Sequence, residues 1–222
     1  MKKTIALIAL TTFILGKANS QNVQRVNIAL NPSYIKLFDD KKISCLGFGT
    51  ALNYTVSKDN KTFASAKYNY YLPSKFSYQP TLFNNNNSNL DQVDLAGTAK
   101  LFQFSFALQR YFIGEYQYDF SVYGSLAYNF IKGTYTYNLK TPDTNLDYSF
   151  VDGTKEKLNG KGLSIGAGCE KKFGAFYAFA DVTYNLNFNK ASSISNTFDY
   201  PNEGTKIPSY INLLLGVKIA LF

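Results

Sequence analysis

The chain has 222 residues, with 23 basic against 15 acidic side chains, 17% aromatic residues, two cysteines and neither histidine nor tryptophan. That length suits a single domain. Without histidine, the Ser-His and Asp-His devices of nucleophilic and acid–base catalysis are excluded, as are histidine-rich metal sites. The basic residues are scattered and do not form the clustered stripe that nucleic-acid binding requires.

At the amino terminus, Met1-Lys2-Lys3 is a short positive start and Ile5 to Gly16 an apolar run. Ala18-Asn19-Ser20 puts small residues where a signal peptidase reads. This predicts an export signal over residues 1–20 and a mature domain over 21–222, beginning at Gln21. The apolar run is shorter than the roughly 20 residues a spanning helix needs; the competing reading is a buried amino-terminal helix. Gln21, where a lipid-anchored chain would carry cysteine, argues against such an anchor.

Beyond the leader no helical periodicity of useful length occurs. The chain instead alternates with period two between clusters of turn residues, predicting strands at 25–37, 43–56, 62–72, 97–112, 118–131, 160–173, 175–188 and 210–222. The connections carry a rhythm. Ser57-Lys58-Asp59-Asn60-Lys61, Ile113-Gly114-Glu115-Tyr116-Gln117 and Gly174 are tight turns, whereas Pro73 to Ala96, Lys132 to Asn159 and Asn189 to Ser209 are long. Only the first connection, Asp39-Asp40-Lys41-Lys42, departs from it. Short turns at one end and long loops at the other suit a membrane barrel. The run Asn84 to Asn87 reads as a polar loop tip, with a ligand-contacting patch as its functional alternative.

The two faces of these strands differ sharply. Phe102, Phe104, Phe106 and Leu108 share one face, and Gln103, Ser105, Ala107 and Gln109 the other. Phe120, Val122, Leu126, Tyr128 and Phe130 likewise oppose Ser121, Ser125, Ala127 and Asn129. Eight strands enclose only enough room for ordinary side chains, so the bulky apolar face is expected outside, against lipid. Closure of the sheet then satisfies the backbone where no water is at hand. Aromatic rims follow at both ends: Tyr54, Phe112, Tyr118, Phe173 and Phe176 near the short turns, and Tyr34, Phe38, Tyr70, Phe102, Phe130 and Phe188 near the long loops. The inverted arrangement, a soluble barrel with its apolar face inside, is the alternative that period alone leaves open.

On this phase Cys45 and Cys169 point to opposite faces and are expected as free, buried thiols, because a disulfide needs converging Cβ vectors. Arg25, Lys67, Asp119, Glu170, Lys172, Asp181 and Lys218 all fall on the inward face toward the short-turn end. Buried charges are tolerated only when paired or hydrated. The set is expected to form a salt-bridged plug; a gate or ion pathway is the alternative.

With its leader, eight alternating strands, loop rhythm and carboxy-terminal strand ending in Phe222, the chain resembles the small outer-membrane β-barrel superfamily, the OmpA/OmpX-like group. The resemblance covers Gln21 to Phe222. It implies an all-β, eight-stranded antiparallel transmembrane barrel in the outer membrane of a Gram-negative envelope, with leaflet lipid as its surroundings. It also implies that the barrel-assembly machinery reads Phe222 as an assembly signal, although Phe222 falls in phase with Lys218 and Asn212. No peptidoglycan-binding domain is expected after the last strand.

A structural or surface-interaction barrel with a plugged polar lumen is therefore the expected function. No enzyme activity, cofactor, metal or nucleic-acid partner is expected, and the partner of the external loops is left unnamed. A small porin-like channel is the first alternative and a soluble lipocalin-like binder the second.

Overall fold

The computed structural model describes residues 26–38, 41–57, 59–84, 89–114, 119–140, 153–188 and 209–221. The leader, Arg25, Tyr118 and Phe222 lie outside the described residues. The described residues form ten strands: β1 (Val26–Leu37), β2 (Ser44–Thr55), β3 (Thr62–Tyr78), β4 (Thr81–Asn84), β5 (Asn89–Gln92), β6 (Leu95–Ile113), β7 (Phe120–Leu139), β8 (Thr154–Phe173), β9 (Phe176–Asn187) and β10 (Tyr210–Ala220). Eight of them close into one antiparallel barrel in the order β1-β10-β9-β8-β7-β6-β3-β2. Alternation of side chains sends each strand's Phe and Leu series outward. Phe106 is 54% exposed, Leu126 57% and Ile165 67%, while the interleaved Gln103, Ser105 and Asn129 are buried.

The short turns leave little slack. β8 passes to β9 through Gly174 and Ala175, and Gly174 takes a left-handed φ of 61°, which a Cβ would oppose. Between β2 and β3, Asp59 accepts from the Ser57 hydroxyl and the Lys61 amide. Both bonds hold its carboxyl below the usual carboxylate range, the Ser57 bond more strongly.

Four strands run further than the sequence reading placed them. β3, β6, β7 and β8 continue past 72, before 97, past 131 and before 160, forming a ridge above the rest of the barrel. Two of the predicted long loops are thus partly sheet, and the first also contains the separate β4–β5 hairpin. Pro73 suggested a break because proline lacks an N–H. The ladder accommodates it instead as a bulge: Tyr71 faces Leu101 and Ser74 faces Ala99, leaving one extra residue on β3. Asn84 pairs with Asn89 at the end of the hairpin; the rest of the asparagine run lies outside the described residues.

A second proline marks the closure. β1 and β10 meet in antiparallel register from Asn27↔Ala220 to Leu37↔Tyr210, but the pairing skips Asn31 and Pro32. On its other side Pro32 pairs with Phe48 of β2.

Inside the ridge lies an apolar cluster that includes Ile35, Ile43, Tyr71, Phe76, Leu95, Leu101, Ile131, Tyr135, Tyr137 and Tyr210. Phe76 packs edge-on against both Tyr135 and Tyr137, ring centres 5.6 Å apart in each case. Gly97 makes this possible, since a Cβ there would land within the Phe76 ring. Gly97→Ala is therefore expected to overpack the site and cost about 1–3 kcal/mol, read as a lower urea midpoint for unfolding from vesicles. An unchanged midpoint would mean that the ring relaxes freely.

Candidate functional site

The barrel interior divides into three levels. Nearest the short turns, β3, β8, β9 and β10 bring together two ion pairs. Lys67 Nζ lies 2.9 Å from Asp181 Oδ2, and Lys218 Nζ lies 2.6 Å from Glu170 Oε2. Glu170 Oε1 also accepts from the Tyr111 hydroxyl at 2.5 Å. The ladder explains why the lysines fit. Lys67, Ala51, Ala29 and Lys218 stand in one cross-strand row, so two alanines separate the long side chains. The Lys218 ammonium lies 4.8 Å from the centre of the Tyr123 ring and 5.1 Å from that of Phe179, close enough for a cation–π contribution. The space left among these groups is about 10 Å³, on the scale of a single water. Phe63, Tyr111, Tyr123 and Tyr177 close the level below as a second aromatic cluster.

The middle level is an amide network. Tyr71 and Asn212 both donate to Gln103 Oε1 at 2.9 Å, Gln103 donates to Asn129 at 3.2 Å, and Asn129 donates to Asn185 at 2.9 Å. Asn185 in turn donates to the Tyr210 carbonyl at 3.3 Å. The chain of bonds therefore joins β3, β6, β7, β9 and β10 across the lumen. Asn31 and Asn69 form a further pair at 3.1 Å.

Above them the apolar cluster of the ridge fills the third level, topped by a charged contact. Lys41 Nζ sits 3.0 Å from Glu156 Oε2 and 4.4 Å from the Tyr135 ring centre, while the Tyr137 hydroxyl donates to the same carboxylate. Beside it a cleft of about 470 Å³ opens at the loop end, lined by Lys41, Lys42, Lys75, Tyr78, Asp94 and Lys140 among others.

Of the inward charges expected from the sequence, Lys67, Asp181, Glu170 and Lys218 are brought together. Asp119 is not: it sits exposed in the turn before β7, where its carbonyl accepts from the Lys172 amide at 3.0 Å. Inward phase has no meaning once the strand has ended. Lys172 is half-buried at the same rim and joins neither ion pair. Cys45 is buried and Cys169 only half-buried, on opposite faces, and both are free. The amide network and the aromatic upper level were not anticipated as a site. Their signal was the Tyr135–Tyr137 alternation, which continues the inward phase of Asn129 and Ile131.

The apolar face thus meets the surroundings and the polar face is inside, on eight closed antiparallel strands. This is an eight-stranded antiparallel β-barrel with its apolar side outward, the arrangement a membrane barrel requires.

No known family profile and no curated protein matches the sequence. Solved structures do match in outline. The amino-terminal β-barrel domain of Pseudomonas aeruginosa OprF is 12% identical with a TM-score of 0.49, over 89% of this chain and 99% of that one. Neisserial surface protein A is 12% identical with a TM-score of 0.46, over 88% and 96%. The attachment invasion locus protein Ail of Yersinia pestis is 14% identical with a TM-score of 0.45, over 89% and 97%.

Proposed function

We propose that this chain is an integral, non-catalytic barrel of the bacterial outer membrane, closed along its axis, whose exposed end meets other envelope components. The observation that carries this reading is the continuous outward apolar band. Soluble monomers rarely expose more than a few hundred Å² of contiguous apolar surface, whereas here large apolar side chains lie exposed on every barrel strand. Strands such as β9, with 12 residues, have the length a tilted membrane strand needs. A soluble binding barrel would keep its apolar face and a ligand cavity inside. Here ion pairs, amides and packed rings occupy that position.

The proposed closure of the axis is supported by three stacked levels of ion pairs, amides and packed rings inside the barrel. The role in contacts at the exposed end rests on the lysine-lined cleft between the loops. Fractionation with a heat-modifiability gel tests the barrel and the membrane together. In a planar bilayer the wild-type protein is expected to show little or no steady conductance. A large, steady conductance would replace this reading with that of a pore.

A further inference from the structure

We infer that the outer face of the ridge binds the phosphate-bearing headgroups of the leaflet into which the loop end projects. This inference rests on the membrane reading above. Its observation is a group of five outward lysines, Lys100 on β6, Lys132 on β7, and Lys155, Lys157 and Lys161 on β8, all exposed.

Cross-strand register makes them one surface. Lys100, Thr134 and Lys157 stand in one row, and Phe102, Lys132 and Asn159 in the next. Phe104, Phe130 and Lys161 form the row below that, and Thr98, Thr136 and Lys155 the row above. The patch therefore begins where the apolar band ends, with Lys132 beside Phe102 and Lys161 beside Phe130. Each same-face step along a tilted strand rises roughly 5 Å. Lys132, Lys161, Lys100 and Lys157 thus fall within about one step of the band's edge, the depth of a headgroup layer.

Among the described residues no carboxylate stands in these rows: their remaining positions are threonine, asparagine and phenylalanine. Glu156, the nearest acid in sequence, points inward to Lys41 and Tyr137. Like charges on neighbouring strands repel, so a cluster without internal counter-charge favours anions supplied from outside. A surface continuous with the lipid-facing band receives them from the lipid itself.

The test uses spin-labelled lipids with the full-length protein in phosphatidylcholine vesicles, comparing phosphatidic acid with phosphatidylcholine in the motionally restricted shell. Phosphatidic acid is expected to be enriched about five-fold at low salt, an effect reduced by added salt. The variant K100Q/K132Q/K157Q/K161Q should lose most of that preference while keeping the heat-modifiable band, and the matching Lys→Arg variant should retain it. Lys171, exposed on the opposite rim, provides the positional control: K171Q should change the preference little. Full preference in the folded quadruple glutamine variant would overturn the inference. Restricted lipid without headgroup preference in the wild type would overturn it too, leaving the membrane reading intact. No restricted lipid of either kind would remove both.

Discussion

Leu126→Arg is expected to destabilise the barrel by about 2–4 kcal/mol in lipid vesicles, the cost of a cation near the bilayer midplane. Leu126 sits midway along the outward apolar series of β7, between Leu108 of β6 and Ile165 of β8. Its side chain is already 57% exposed, so no packed core is lost. In a water-soluble protein the same substitution would be close to neutral, as most surface changes are. A urea titration in vesicles measures the difference directly. A change smaller than about 0.5 kcal/mol would show that this face does not meet lipid.

The second large effect is expected at Lys218. Lys218→Met removes the counter-charge from Glu170, which also accepts from the Tyr111 hydroxyl, and both members of the ion pair are buried. Stranding one member of a buried ion pair costs about 3–5 kcal/mol. Neutralising both, with Lys218→Met and Glu170→Gln together, should recover most of that loss, because desolvation of the pair then disappears along with its attraction. Four unfolding titrations complete the cycle. If the double variant is as unstable as the sum of the singles, Lys218 acts through its packing against Tyr123 and Phe179 and not through its charge.

The barrel was legible because its strands alternate cleanly between a bulky apolar face and a small polar one. Every second residue of Phe102 to Leu108 is large and apolar, and the residues between are Gln103, Ser105 and Ala107; the period gives the two faces, and the narrow bore of eight strands sends the bulky one outward. Pairing of the inward charges was legible in part, since phase identifies a face but not a depth. It grouped Asp119 with Asp181, although the strand begins only at Phe120. The ridge was hidden for a different reason. Pro73 and the glycines around Gly133 and Gly160 resemble turn signals, yet a bulge absorbs the proline, and Gly133 sits where a Cβ would meet the Leu101 side chain. Gln103 shows the same limit. Its phase indicates an inward polar residue, but only the register makes it the meeting point of Tyr71, Asn212 and Asn129.

The skipped pairing at Asn31 and Pro32 bears on how the barrel opens and closes. Along the barrel each strand pairs with its neighbour in chain order, except that β1 must find β10 across nearly the whole sequence. Contacts so distant along the chain carry the largest loop-closure entropy and tend to form late. The proline withholds a donor midway along that same junction. The lowest-energy route for local parting, and the one amide protons would use to exchange with solvent, therefore runs along the β1–β10 seam. Amide exchange is therefore expected to be fastest along this ladder, and a parting confined to it would leave the other ladders of the cylinder paired.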